Sequence, residues 1–135
     1  MILIVCLDDK NGMAFNGRRQ SQDARGRERL LALAGEAPLW MNAASAKLFG
    51  EAPNIRVAED FLEQAAPGEY AFAELPPLAP YARKAERIVA LRWNRVYPAD
   101  KKLDIPLKPG LWNLVKAEDF PGSSHETLTL EIYER

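Results

Sequence analysis

The side chains best able to do chemistry crowd into residues 8–29, "DDKNGMAFNGRRQSQDARGRER". Arg18, Arg19, Arg25, Arg27 and Arg29 fall within twelve residues, interleaved with Gln20, Ser21, Gln22, Asp23 and Glu28. Guanidinium forks beside a loop and a helix start favour anions, because each fork offers paired donors and the helix end adds free N–H groups. The pattern predicts a phosphate or carboxylate site built from Arg18, Arg19, Gln20, Ser21 and Asp23. The competing reading is a solvated helix face laced by an Asp23–Arg27 pair at i,i+4. Asp8 and Asp9 close the apolar run "ILIVCL". That is the strand edge where open α/β sheets hold ligands, or simply the start of a turn. Asp9 is therefore counted with the site, as is Arg92 at the end of a second apolar run.

The remaining titratable groups exclude more than they offer. There is one histidine, His125, and one cysteine, Cys6. Zinc and hydrolytic di-metal sites need several His or Cys ligands close together, so no metal site is expected. A Ser–His–Asp or Cys–His mechanism would have to use His125. That residue lies in "GSSHE", which reads as hairpin-turn chemistry with Ser and His satisfying local backbone groups. Cys6 sits inside the first apolar run and reads as an inert core thiol. "RWNRVYPAD" mixes Trp93, Arg95 and Tyr97. Such a mixture can stack nucleic-acid bases, and it equally fits a strand end packed under a loop. Lys plus Arg number 18 against 19 Asp plus Glu, so no global field attracts nucleic acid or a membrane, and neither partner is expected. "MILIVCLDDK" has no basic region and too short an apolar run for a signal peptide or a transmembrane helix. A cytoplasmic protein is expected; the sequence says nothing of its oligomeric state.

These groups must be positioned by a chain of 135 residues, 47% hydrophobic and 27% charged, the size and balance of one folded domain spanning 1–135. Ile2–Leu7 predicts a strand covered on both faces. Residues 12–21 read as a long loop, and Gln22–Ala34 as a helix stopped by Gly35. A short strand (38–42), a short helix (43–50), a brief strand (55–57), a helical turn at Phe61 and Leu62, and a strand (68–75) follow. "PPLAPY" can hold one short turn after Pro80 but no regular helix. A strong strand (87–93) precedes an irregular polar stretch, and strands at 111–120 and 126–135 flank a turn at "PGSSH". Strands alternating with helices, then strand–turn–strand, predict a mostly parallel α/β sheet with flanking helices and a C-terminal antiparallel hairpin.

Four segments, in order, resemble the dihydrofolate reductase family. "LIVCLDDKNGMAFNGR" is similar to its first strand and following loop, and "PLWMNAASAKLF" to its second strand and helix. "ARKAERIVALRW" is similar to the strand before its closing hairpin, and "WNLVKAEDFPGSSHETLTLEIYER" to that hairpin and its E-x-x-E-R ending. The resemblance implies a dihydrofolate-reductase-like fold.

The departures bear on activity. The family's loop carries a Pro-Trp pair where this chain has Gln20 and Ser21. Its catalytic acid, counted on from there, falls on Gly26, which has no side chain to protonate a pterin. Asp23 and Glu28 flank the gap as weak substitutes, on different faces of a helix. The family's cofactor Gly-Gly pair is replaced within "YAFAELPPLAPY", which is acidic at Glu74 and loses N–H donors to proline. Its polar residue on the catalytic strand falls near Leu91. The stretch between the second helix and the central strand, which helps hold cofactor and folate in the family, is short. The expectation is a small-molecule-binding protein without folate reduction, holding an anionic or nucleotide-like ligand. No cofactor is expected, with NADPH left open by the resemblance. The alternatives are a diverged NADPH-dependent oxidoreductase using Asp23 or Glu28, and a protein-interaction module whose cleft is filled by its own side chains, such as Met13, Phe15 and Trp40.

Overall fold

The computed structural model describes residues 1–135. Ile2–Leu7 forms β1, the centre of a seven-stranded sheet. Its side chains part to opposite faces, as a period of two requires. Leu3, Val5 and Leu7 enter one core. Ile2 and Ile4 enter the other, with Cys6 packed against it. A strand covered on both sides needs apolar residues at every position, so "ILIVCL" does not alternate.

Residues 12–21 are not a long loop. Gly12–Phe15 forms β2 and Arg18–Arg19 forms β3, an antiparallel hairpin with Phe15 opposite Arg18. Its two-residue turn is Asn16-Gly17, both at positive φ (53° and 72°). That backbone is the one Asn-Gly favours in tight hairpins, because its twist matches the strands it joins. The hairpin gains a third strand from the stretch read as irregular: Lys101–Lys102 pairs with β2.

Helix α1, Ala24–Ala34, covers the second face through Leu30 and Ala34. It begins at Ala24 rather than Gln22, because Asp23 is its N-cap, extended at φ −153° and accepting the Gly26 N–H. Gly26 faces the sheet: a Cβ there would lie 2.9 Å from Leu91 Cδ2 and 3.2 Å from Leu128 Cδ1. The glycine thus lets helix and sheet approach closely.

The next elements keep the predicted order: β4 (Leu39–Met41), α2 (Ala43–Phe49), β5 (Ile55–Val57), α3 (Phe61–Gln64) and β6 (Tyr70–Phe72). A 3-10 turn, Ala79–Tyr81, includes Pro80 near its start rather than following it. Then come β7 (Arg87–Arg92), the short strand already met, β8 (Lys101–Lys102), β9 (Asn113–Pro121) and β10 (Thr127–Glu134). The large sheet runs β5-β4-β6-β1-β7-β10-β9. It is parallel from β5 to β7 and antiparallel at β10 and β9. The parallel strands therefore end on one edge, where Asp8, Asn42, Glu74 and Trp93 emerge. No helix is long and apolar enough to cross a membrane.

Candidate functional site

At this edge β3, α2 and the exit of β6 enclose an open cleft of about 340 Å³. Arg18, Arg19, Asn42, Ser45 and Glu74 supply its polar groups. Arg18 is exposed, and its guanidinium makes no hydrogen bond or ion pair. Arg19 is different. Its Nε and Nη2 donate to Glu74 Oε2 and Oε1 at 2.6 and 3.0 Å, a two-pronged pair with Glu74 only 11% exposed. The Ser45 hydroxyl also donates to Glu74 Oε1, at 2.6 Å. The Glu74 carboxylate pushes the Arg19 pKa up. Past Asn42 and Leu75 the cleft opens into a broad hollow walled in part by Glu59, Asp60 and Glu63.

Inward of Glu74, between α1 and the sheet, only about 10 Å³ remains free. Leu30, Leu48, Phe72, Leu91 and Trp93 fill that space, with Cys6, Ser21 and Asp23 at its margin. It has room for one water at most. Burial first, then Glu74, pushes the Cys6 thiol pKa up, so it supplies no nucleophile. The side chains that close the pocket are not the expected ones. Met13 is buried in the opposite core. Phe15 is 47% exposed, and Trp40 donates its indole N–H to Glu69.

Asp23 and His125 are the least anticipated part of the site. Asp23 is 2% exposed and does not pair with Arg27, which donates instead to Gln22. Its carboxylate caps α1 and receives the backbone N–H groups of Ser123, Ser124 and His125, 2.9–3.1 Å away. The serines of "GSSHE" therefore serve a carboxylate a hundred residues away in sequence as well as their own turn. Burial alone would raise the Asp23 pKa. The N–H groups of Ser123 and Gly26, the His125 ring and the Ser124 N–H outweigh it and hold the carboxyl far below its usual range.

His125, 6% exposed, stacks on Trp93 with ring centroids 4.8 Å apart. Its Nδ1 lies 3.1 Å from Asp23 Oδ2, and its Nε2 lies 2.8 Å from the Tyr97 hydroxyl and 3.3 Å from Ser21 Oγ. A carboxylate, an imidazole and a serine hydroxyl thus stand in the order that activates a nucleophile. Two features work against that chemistry: Tyr97 sits closer to Nε2 than Ser21 does, and the space beside Ser21 is closed. The network instead fastens the residues before α1 to those after β7 and before β10.

The other residues predicted for the site are dispersed. Gln20 donates to Asp8 and to the Pro98 carbonyl. Asp8 is buried and receives the N–H groups of Gly12, Lys10 and Tyr97. Burial works against its charge, but those donors outweigh it and lower its pKa. Asp9 and Glu28 are exposed and line neither cavity. Arg92 pairs with Glu131 at 2.6 Å and also donates to the Asp8 carbonyl and Asn11. It follows Ala90 on the face opposite α1, away from the cleft. So the structure brings Arg18 and Arg19 together with Glu74, Ser45 and Asn42, which were not assigned to a ligand site from sequence. Asn42 was findable as the N-cap of α2. No group of three or more His, Cys, Asp or Glu residues is placed to hold a metal ion.

No family-level sequence model and no curated protein sequence matches the chain. Among solved structures it is similar to dihydrofolate reductase from Enterococcus faecalis, complexed with NADP(H) and RAB-propyl. The TM-score is 0.67 at 10% identity, over 99% of this chain and 95% of that one. At that identity the likeness establishes the fold, a dihydrofolate-reductase-like α/β architecture, and leaves activity to be argued from the site.

Proposed function

We propose that this protein is a binding protein on a dihydrofolate-reductase-like scaffold, without folate reduction, that holds a small anionic ligand in the cleft between β3 and α2. The observation that carries this reading is the contrast between the two cavities. The inner one is closed to about 10 Å³, and Gly26, at the position expected for an acid, is packed on Leu91 and Leu128. Neither substitute acid serves: Asp23 is committed to the turn before β10, and Glu28 is exposed. The outer cleft is open and presents Arg18 with no acidic partner. A carboxylate or a single phosphate there gains a charge-assisted, two-pronged hydrogen bond.

The test has two arms. Purified protein given dihydrofolate and NADPH shows no loss of NADPH absorbance above background. Turnover abolished by Asp23→Asn or Glu28→Gln would establish the diverged reductase instead. In thermal-shift assays, acetate and inorganic phosphate raise the melting temperature, and Arg18→Ala removes that shift. A shift unchanged in Arg18→Ala places the anion elsewhere. The protein-interaction module is the second reading, favoured by the closed inner pocket and by Leu114 and Val115, each about half exposed on β9. It predicts concentration-dependent association, or none of the anion shifts.

A further inference from the structure

We infer that Glu74 is an internal anion in the outer cleft, that this cleft therefore excludes a dinucleotide such as NADPH, and that it takes only a small anion, a carboxylate or a single phosphate, on Arg18. The inference rests on the reading above that the cleft binds a ligand, and narrows it to a ligand class.

A dinucleotide carries its pyrophosphate to whatever cations and N–H donors a crevice offers at the strand ends. Here the chain's own carboxylates have taken several of them. Glu74 occupies both prongs of Arg19 and the Ser45 hydroxyl. Past Leu75 the next two positions offer no donor, because Pro76 and Pro77 have no N–H. The two after those, the N–H groups of Leu78 and Ala79, both donate to the Asp104 carboxylate at 3.0–3.1 Å. A pyrophosphate in the cleft would thus face Glu74 at close range, with Arg18 the one lining cation left unpaired.

The remainder of such a ligand has no better place. Inward, the space is closed by Leu30, Phe72 and Leu91. Outward, past Leu75, the hollow is walled in part by Glu59, Asp60 and Glu63, which add further negative charge. A small anion avoids both problems, since it can contact Arg18 without displacing Glu74. The residues present therefore do not fit the cofactor that the fold suggests, and the misfit lies in charge rather than in room alone.

The decisive experiment is isothermal titration of NADPH and of inorganic pyrophosphate into the wild type, Glu74→Gln and the double variant Glu74→Gln/Arg19→Ala. Glutamine keeps the shape, removes the charge and leaves Arg19 at most one of its two acceptors. The wild type gives no binding heat at millimolar NADPH. Glu74→Gln binds pyrophosphate at least tenfold more tightly than the wild type, and the double variant loses that gain. Wild-type binding of NADPH overturns the inference whether or not any variant folds. So does a folded Glu74→Gln, verified by circular dichroism, whose pyrophosphate affinity equals that of the wild type. The acetate shift and its dependence on Arg18 are measured separately. Loss of that shift defeats the binding-protein reading without touching the Glu74 result.

Discussion

Replacing Asp23 with alanine removes one side chain and unties three segments of the chain. The cost can be worked from the bonds it breaks. Loss of the helix cap costs about 1 kcal/mol. The buried His125 N–H, whose partner is Asp23 Oδ2, is left unsatisfied at about 1–3 kcal/mol. Loss of the bond to His125 Nδ1 adds about 1 kcal/mol. Ser123 and Ser124 are exposed, so their N–H groups recover water and add little. The total is about 3–5 kcal/mol, roughly 10–18 °C in melting temperature for a domain of this size. Urea unfolding followed by tryptophan fluorescence measures it, with Trp93 stacked on His125 as a local reporter.

The same carboxylate makes a pH prediction. Its folded pKa lies below the unfolded value of 3.8, so its contribution is fully present above that value and is lost as pH falls toward the folded pKa. The stability advantage of the wild type over Asp23→Asn is therefore constant near neutrality and shrinks as the medium is acidified below about pH 4. A loss under about 1 kcal/mol in Asp23→Ala, no more than a cap is worth, would refute the claim that this residue joins the loop to the turn. An advantage over Asp23→Asn that persists unchanged into strong acid would refute the electrostatic account.

Two further perturbations test the rest of the site. Restoring an acid with Gly26→Asp creates no dihydrofolate turnover. It destabilises the fold by about 3 kcal/mol, because its Cβ would press on Leu91 and Leu128 and its carboxylate would enter an apolar seam; a variant as stable as the wild type in urea would show that α1 can lift off the sheet. Arg92→Ala costs about 3 kcal/mol by leaving the largely buried Glu131 without its main partner, while Arg92→Met with Glu131→Met recovers most of that loss. The acetate shift is unchanged in both, and an altered shift would return Arg92 to the ligand site.

The sequence alone determined what depends on near neighbours and on periodicity. The unbroken apolar run of β1, the alternation of strands and helices through β6, and the closing hairpin each follow from the need to cover two faces, or one, of a sheet. The acidic, proline-rich exit of β6 was legible in the same way, whereas Gly26 stood out only through the family resemblance, which implies an acid at that position. Asn16-Gly17 carries the signal for a two-residue hairpin inside a stretch whose polarity otherwise suits a loop.

What only the tertiary structure decided is how charges were spent. Arg19 meets Glu74 across 55 residues, Asp23 meets the N–H groups of 123–125 across about a hundred, and Arg92 meets Glu131 across 39. The cluster of arginines and acids at 8–29 looked like one ligand site because those residues are close in sequence. Folding sends their side chains to different faces of a twisted sheet, and most of them find partners there. A charge pair has no periodicity, and chain separation hides it. Arg18 alone is left unpaired beside an open cleft, which is a fact about every other residue's contacts and so could not be read from its own.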